Sequence, residues 1–405
     1  MTTSRGEVMR PLGAAERTID FYMRENPLQF SLVAEIDRPV GEAELAGALV
    51  KLCLRHPLLA ATVDHTAAEA VYRRADGAIP VTTLPEGTPW QAVVAAEQTR
   101  PIPPAPGPLA RCTLLPRGGR CDIVLTFAHQ IADGVGGMRA LLDLVAALDG
   151  EEQAPGGVPE TQEDLLARVV PPPVTLAAVP PPDDPRMSVG GEFAPFSGHA
   201  PHVQALALDQ ELTGRLVRRC RLESTTVHAA LCAAAAVVFH RRGREFVRIL
   251  SPMDLRRACG LPDEVVNRFV GARTASEAYA ADDFWKLARA THDSLTRQRA
   301  PHVLKAAGAL LTEHAPTSGE QAEAMMAAVT AADIQITNLG VVTPRQRGAG
   351  TLTALWGPAQ ITQLRGEHVL GVVTLDGRLR MTELTHDPVA GLVPDIAAAL
   401  AEACA

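Results

Sequence analysis

The sequence predicts a mixed α/β protein built as two lobes. Three observations lead there. The chain has 405 residues, too many for one ordinary hydrophobic core and suited to two. A proline-rich stretch containing Pro171-Pro172-Pro173 and Pro180-Pro181-Pro182 interrupts it before the middle. Strand-like and helix-like patterns mix on both sides of that stretch. The expected organisation is an N-terminal lobe over 1–150, a linker over 151–185 and a C-terminal lobe over 186–405.

In the first half, Met9 to Glu25 begins as a loop and continues as a helix. Gln29 to Ile36 alternates like a half-buried strand. Glu42 to Leu54 has helical apolar spacing and stops near His56-Pro57, since proline disfavours helix in the residue before it. Pro89 to Gln98 is a further helix. Ala110 to Leu115 and Asp122 to Phe127 are strands joined by the turn Pro116-Arg117-Gly118-Gly119-Arg120, a hairpin. Met138 to Leu148 is an amphipathic helix. His129 therefore falls where a strand ends and a glycine-containing bend turns into a helix.

In the second half, Val203 to Leu208, Phe246 to Ser251 and Ile334 to Thr337 are strands. Gln210 to Arg221, Thr226 to His240, Phe284 to Arg299, Gln321 to Ala331 and Pro394 to Cys404 are helices. The alanine-rich run Val227 to Phe239 is too short to span a bilayer and fits a buried helix. Val369 to Leu375, the tight turn Asp376-Gly377, and Leu379 to Leu384 make the clearest hairpin.

Composition excludes several classes. A net charge of −8 gives no attraction to nucleic acid. The seven cysteines (Cys53, Cys112, Cys121, Cys220, Cys232, Cys259 and Cys404) are scattered, odd in number and form no C-x-x-C pair. That excludes a disulfide framework or zinc site and points to a reducing compartment, the cytoplasm. Met1 to Gly13 has no apolar core of a signal peptide, and no integral membrane segment is expected.

Acyl transfer from a thioester needs a base with a pKa near 7, and histidine suits it. It also needs a donor for the oxyanion of the tetrahedral intermediate. A histidine at a strand end, followed by a bend with glycine, can meet both needs. Gly134 leaves room beside the reacting atoms, and its N–H is a candidate donor. Among twelve histidines, only His129 has aspartate four residues on (Asp133) and glycine five on (Gly134).

This segment resembles the HxxxDG motif of the superfamily that includes peptide-synthetase condensation domains, chloramphenicol acetyltransferase, plant BAHD acyltransferases and PapA-type, polyketide-associated acyltransferases. Other landmarks stand in the family's order. Leu54-Arg55-His56-Pro57-Leu58-Leu59 resembles its early RHPxL turn, and Thr225-Thr226-Val227-His228-Ala229-Ala230-Leu231 the start of a helix in the second lobe. Pro252-Met253-Asp254-Leu255-Arg256 resembles its PxDLR segment, and Ile336-Thr337-Asn338-Leu339-Gly340 its late S/T-N-x-G strand. The resemblance spans nearly the whole chain. Two departures narrow it. Ala128 stands where condensation domains usually carry a first histidine, and Trp356-Gly357 lacks the Asp-Phe of the plant enzymes' DFGWG segment. The similarity is strongest to the PapA-like and alcohol-acetyltransferase-like group.

The resemblance implies two chloramphenicol-acetyltransferase-like lobes with the active-site channel between them and His129 as general base. It implies an ion pair between Asp133 and Arg256 that supports the site with Gly134, in place of a triad role for Asp133. Asn338 is either a channel or oxyanion contact or a strand-ending turn residue. His129 and Asp133 as metal ligands lack a third and fourth partner, so no metal is expected. No permanently bound cofactor is expected. The donor substrate would be a thioester of coenzyme A or an acyl carrier protein, and the acceptor a small alcohol or amine. The expected product is an ester made by a monomeric enzyme of secondary metabolism or lipid biosynthesis. An amide-forming stand-alone condensation enzyme, and a non-catalytic member that binds a carrier protein, are the alternatives.

Overall fold

The computed structural model describes residues 6–171, 184–343 and 351–405. Apart from Pro171, the proline triplets fall outside the described residues. The first half forms β1 (Val8–Pro11), α1 (Ala14–Met23), β2 (Gln29–Ile36), α2 (Glu42–Arg55), β3 (Ala61–Asp64), β4 (Val71–Arg74), β5 (Val81–Thr83), α3 (Trp90–Glu97), β6 (Ala110–Arg117), β7 (Arg120–Ala128) and α4 (Gly134–Leu148). A helix, α5 (Gln162–Val169), lies inside the stretch between the halves. The second half forms β8 (His202–Ala207), α6 (Gln210–Leu222), α7 (Val227–Arg241), β9 (Phe246–Asp254), α8 (Leu255–Cys259), β10 (Phe269–Glu277), α9 (Phe284–Gln298), α10 (Pro301–Glu313) and α11 (Gly319–Thr330). It closes with β11 (Ile334–Val342), β12 (Leu352–Gln360), β13 (Val369–Leu375), β14 (Arg378–Thr385) and α12 (Leu392–Ala403).

Two large sheets organise these elements. One has the order β10-β9-β11-β13-β14-β8, the other β12-β2-β7-β6-β5, and a small third sheet has the order β1-β4-β3. Strand β12 comes from the second half yet pairs antiparallel with β2 of the first, Leu352 opposite Ile36 and Gln360 opposite Phe30. The sequence conceals this strand because Gly357-Pro358 interrupts it. Proline within a sheet belongs on an edge or at a bulge, and β12 offers both. It is the edge strand, and its register slips between Trp356 and Ala359. Strand β10 is hidden for another reason: Gly271, Ala272, Ala275 and Ser276 dilute its alternation with small residues.

Helix α7 is buried on every side from Ala229 to Phe239 and packs in a core with Ile336 of β11 and Val372 of β13. Among the described residues no single helix is long and apolar enough to cross a membrane, and the α6–α7 pair is bent by 102°. Helix α4 starts at Gly134, four residues before its apolar periodicity begins, because Asp133 caps it: the carboxylate accepts from the Gly136 N–H.

The two large sheets touch where β13 passes β12. A Cβ on Gly371 would stand 2.0 Å from the Pro358 carbonyl oxygen, so only glycine fits there. Gly371→Ala should therefore lower stability by at least about 1–3 kcal/mol, the usual cost of overpacking. Gly47→Ala, on the exposed face of α2 with nothing within 4 Å, should leave the thermal midpoint unchanged or slightly higher. Equal midpoints for Gly371→Ala and wild type would show that the sheets can part at this crossing.

Candidate active site

The segment from His129 to Asp133 joins the end of β7 to the start of α4, and polar groups from distant parts of the chain pin it. The His129 N–H donates to the Leu28 carbonyl at 2.9 Å. The Asn267 side-chain amide donates to the carbonyls of His129 at 2.8 Å and Gln130 at 3.0 Å. The Tyr72 hydroxyl donates to the Gln130 carbonyl at 2.8 Å. Ile131 and Ala132 are fully buried. A five-residue connection with the carbonyls of His129 and Gln130 bound and its apolar side chains packed presents His129 in one orientation.

That orientation faces a cavity of about 400 Å³ between the two halves of the fold. His129 and Gly134 line it from the first half, Phe269, Asn338 and Gln360 from the second. The imidazole is 7% exposed. It lies between two phenyl rings, Phe30 with centroids 5.3 Å away and Phe269 at 5.5 Å. Its Nδ1 is buried, with no partner in hydrogen-bond geometry among the described residues. Burial pushes the His129 pKa below its ordinary value, and its own backbone, Asp133, Asn267 and Gln360 recover part of the shift. Burial thus favours the neutral form of the ring.

Asp133 points away from this ring. One carboxylate oxygen accepts from Gly136 N–H at 2.7 Å. The other accepts from Arg256 Nη1 at 2.9 Å and from Arg268 N–H at 2.7 Å. Arg256 is equally well occupied: Nη1 also reaches Asp254 at 2.8 Å, and Nη2 donates to the carbonyls of Glu264 and Val266. Burial alone would lower the Arg256 pKa, but Asp133 and Asp254 raise it above its ordinary value.

Gly134 lies at the first turn of α4, whose N–H groups have no partner within the helix. A Cβ there would meet Leu339 at 2.9 Å and Pro358 at 3.3 Å. Asn338 accepts from the Gly340 N–H through Oδ1 at 2.8 Å. It thus ends a turn and also lines the cavity, its side-chain NH₂ left as a donor. Among the described residues no cluster of three or more His, Cys, Asp or Glu side chains could hold a metal ion.

Sequence reasoning missed Asn267, Phe269 and Gln360. The first two share the run Val265-Val266-Asn267-Arg268-Phe269-Val270, where two polar residues sit among apolar neighbours. Asn267 and Arg268 are both essentially inaccessible to solvent. A polar pair inside an apolar run was the available signal. Gln360 ends the concealed strand β12 and left no trace.

The Asp133–Arg256 pair makes a prediction. Removing one member of a buried ion pair typically costs about 3–5 kcal/mol. Asp133→Ala and Arg256→Ala should each lower the thermal midpoint and activity together, with Asp133→Ala the worse because it also strips partners from Gly136 and Arg268. The double variant should lose clearly less than the sum of the two. Additive losses would mean that the two side chains act separately.

Comparisons with known proteins bear on the fold. Residues 197–350 match the family model PapA_C, described as phthiocerol/phthiodiolone dimycocerosyl transferase C-terminus. No curated protein matches the sequence. Among solved structures, polyketide synthase associated protein 5 from Mycobacterium tuberculosis superposes with a TM-score of 0.69 at 18% identity, covering 99% of each chain. The first condensation domain of the CDA synthetase superposes at 0.67 with 16% identity, over 100% of this chain and 97% of that one. The epimerization domain from the third module of tyrocidine synthetase B superposes at 0.62 with 15% identity, over 99% and 97%. Residues 197–350 are thus similar to a PapA C-terminal segment, and the whole chain shares the two-lobed, chloramphenicol-acetyltransferase-like fold of these PapA-type and condensation-domain structures.

Proposed function

We propose that the protein is an acyltransferase that moves an acyl group from a thioester of coenzyme A or an acyl carrier protein to a hydroxyl, forming an ester. The family and the fold support a condensation- or acyltransferase-type activity in polyketide or nonribosomal peptide synthesis. The observation that supports the specific reading is His129 itself: a buried imidazole with a lowered pKa at the wall of a cavity between the lobes. Its buried Nδ1 leaves Nε2 as the nitrogen to meet a substrate.

In this reading the acceptor O–H gives its proton to Nε2 as its oxygen attacks the thioester carbonyl. The oxyanion is met by the Gly134 N–H or the Asn338 side-chain NH₂. Collapse breaks the carbon–sulfur bond, and the imidazolium returns the proton to the leaving thiolate. Asp133 takes no proton, since both its oxygens are engaged elsewhere. Oxygen is favoured over nitrogen as acceptor because Ala128 replaces the first histidine of peptide-forming condensation domains.

Incubation with acyl thioesters and alcohols, followed through free thiol release, tests the reading. His129→Ala should fold normally and lose about 10²–10⁴-fold in turnover; turnover within twofold of wild type would sink the assignment. The base works when unprotonated, and its pKa is lowered. The acidic limb of the pH profile for kcat/KM should therefore fall below pH 6.5, the ordinary histidine value, and a limb near 7.5 would contradict it. Activity should also survive exhaustive chelation, whereas loss on chelation and recovery with one metal would demand a different mechanism.

A further inference from the structure

We infer that the cavity ends in an anion subsite formed by Arg273 with Arg248 behind it, so that one substrate carries a carboxylate or phosphate at the end remote from its reacting atoms. The link to catalysis rests on the acyl-transfer reading; the subsite itself does not.

Three strands place Arg273. Gln335 of β11 pairs with Leu250 of β9, which pairs with Arg273 of β10, and all three side chains line the cavity. At the other end of the same two strands Asp254 pairs with Phe269, whose ring lies against His129. Four residues of strand separate the two levels, about 13 Å at roughly 3.3 Å per residue. Between them Pro252 stands opposite Gly271, so no long side chain blocks the floor. Met325, Met326 and Val329 of α11 line the cavity with apolar surface. The path from His129 to Arg273 is therefore open, greasy and ends in a guanidinium.

Among the described residues that guanidinium has no carboxylate partner. Arg273 is half-buried and donates through Nη1 to the Ala328 carbonyl at 3.1 Å. Among the described residues neither the Arg273 nor the Arg248 guanidinium makes an ion pair; the Asp333 carboxylate accepts from the Arg248 backbone N–H at 2.7 Å and pairs with Arg244. Arg248 sits diagonally across from Arg273 on the same face, and its Nη1 donates to the Val189 carbonyl at 2.6 Å. Like charges at this spacing repel. Burial and Arg248 together lower the Arg273 pKa. The contrast is with Arg256 at the other end of the path, which has two carboxylates. Two guanidinium groups with no ion-pair partner among the described residues, one of them lining the cavity, fit a ligand that brings an anion. A guanidinium fork matches carboxylate and phosphate oxygens. The acid could be a carboxylate on the acceptor or the phosphate of a pantetheine-type donor.

Equilibrium binding by calorimetry separates these sources. The probes are decanoate against methyl decanoate, and 4′-phosphopantetheine against pantetheine. Wild type should bind at least one charged probe about tenfold or more tightly than its neutral counterpart, as a charge-assisted contact requires. Arg273→Gln should erase that preference and Arg273→Lys should keep part of it. Arg248→Gln, which leaves the Arg273 side chain in place, should weaken the charged probe several-fold and the neutral one not at all. Preference for decanoate assigns the subsite to the acceptor, preference for phosphopantetheine to the donor. Failure of both charged probes to bind, equal affinity for charged and neutral forms, or a preference that survives Arg273→Gln overturns the proposal. Because the readout is binding, a protein that released no thiol with any substrate would retire the acyl-transfer reading and leave this one to its own result.

Discussion

A carboxylate taken out of water must be matched by donors, and Asp133 finds its donors in the other half of the chain. Arg256 and the Arg268 N–H come from the segment between β9 and β10, while the Gly136 N–H belongs to the helix that Asp133 caps. One side chain thereby fixes three things: where α4 begins, how the β7–α4 connection turns, and where the second lobe sits against it. Pairing at this cost in desolvation is weak evidence for added stability. Its geometric role is clearer, because the donors approach from fixed backbone positions. The joint lies beside the cavity, which Asp133 also lines.

The same arrangement governs the chemistry open to His129. The ring is enclosed by Phe30 and Phe269, one from each half of the chain, and the one carboxylate near it is already committed to Arg256. A histidine next to a free carboxylate would be driven toward the charged form. Here the opposite holds, and the imidazole stays available to accept a proton. Asn267 orients the segment through its carbonyls and adds no charge. Positioning and electrostatics are thus divided between different side chains.

Much of this was legible in the sequence, for identifiable reasons. The hairpin β6–β7, strand β2 and helix α2 repeat their apolar residues at the period of the element they form, and their ends fall within a few residues of those expected. The placement of His129 at the end of β7, the cap at Asp133 and the Asp133–Arg256 pair were readable because the motif compresses strand end, cap and bend into six residues, and the arginine follows in its own motif. What escaped notice has no local pattern. Strand β12 is interrupted by Gly357-Pro358 and gains its place only by lying on the edge beside β2. Strand β10 is written in small residues. Asn267, Phe269 and Gln360 matter only because tertiary contacts bring them to one histidine, and periodicity does not register such contacts. The proline-rich stretch also conceals a helix, α5, among residues that read as linker.

The position of β12 has a consequence for synthesis on the ribosome. Until residue 360 has emerged, the sheet of the first lobe ends at β2, an open edge with Phe30, Leu32 and Ala34 facing the core. An unpaired apolar edge is a template for the wrong strand. After β7 is complete the chain must still grow past the whole of the second lobe's first sheet strands and helices before the missing partner appears. At about 5–20 residues per second that interval is on the order of tens of seconds. The first lobe therefore cannot mature as an independent unit during translation; its closing strand, Leu352–Gln360, follows β7, Arg120–Ala128, only after the second lobe's first strands and helices. Nascent-chain quality control, more than equilibrium stability, is where a fold wired in this way is most exposed.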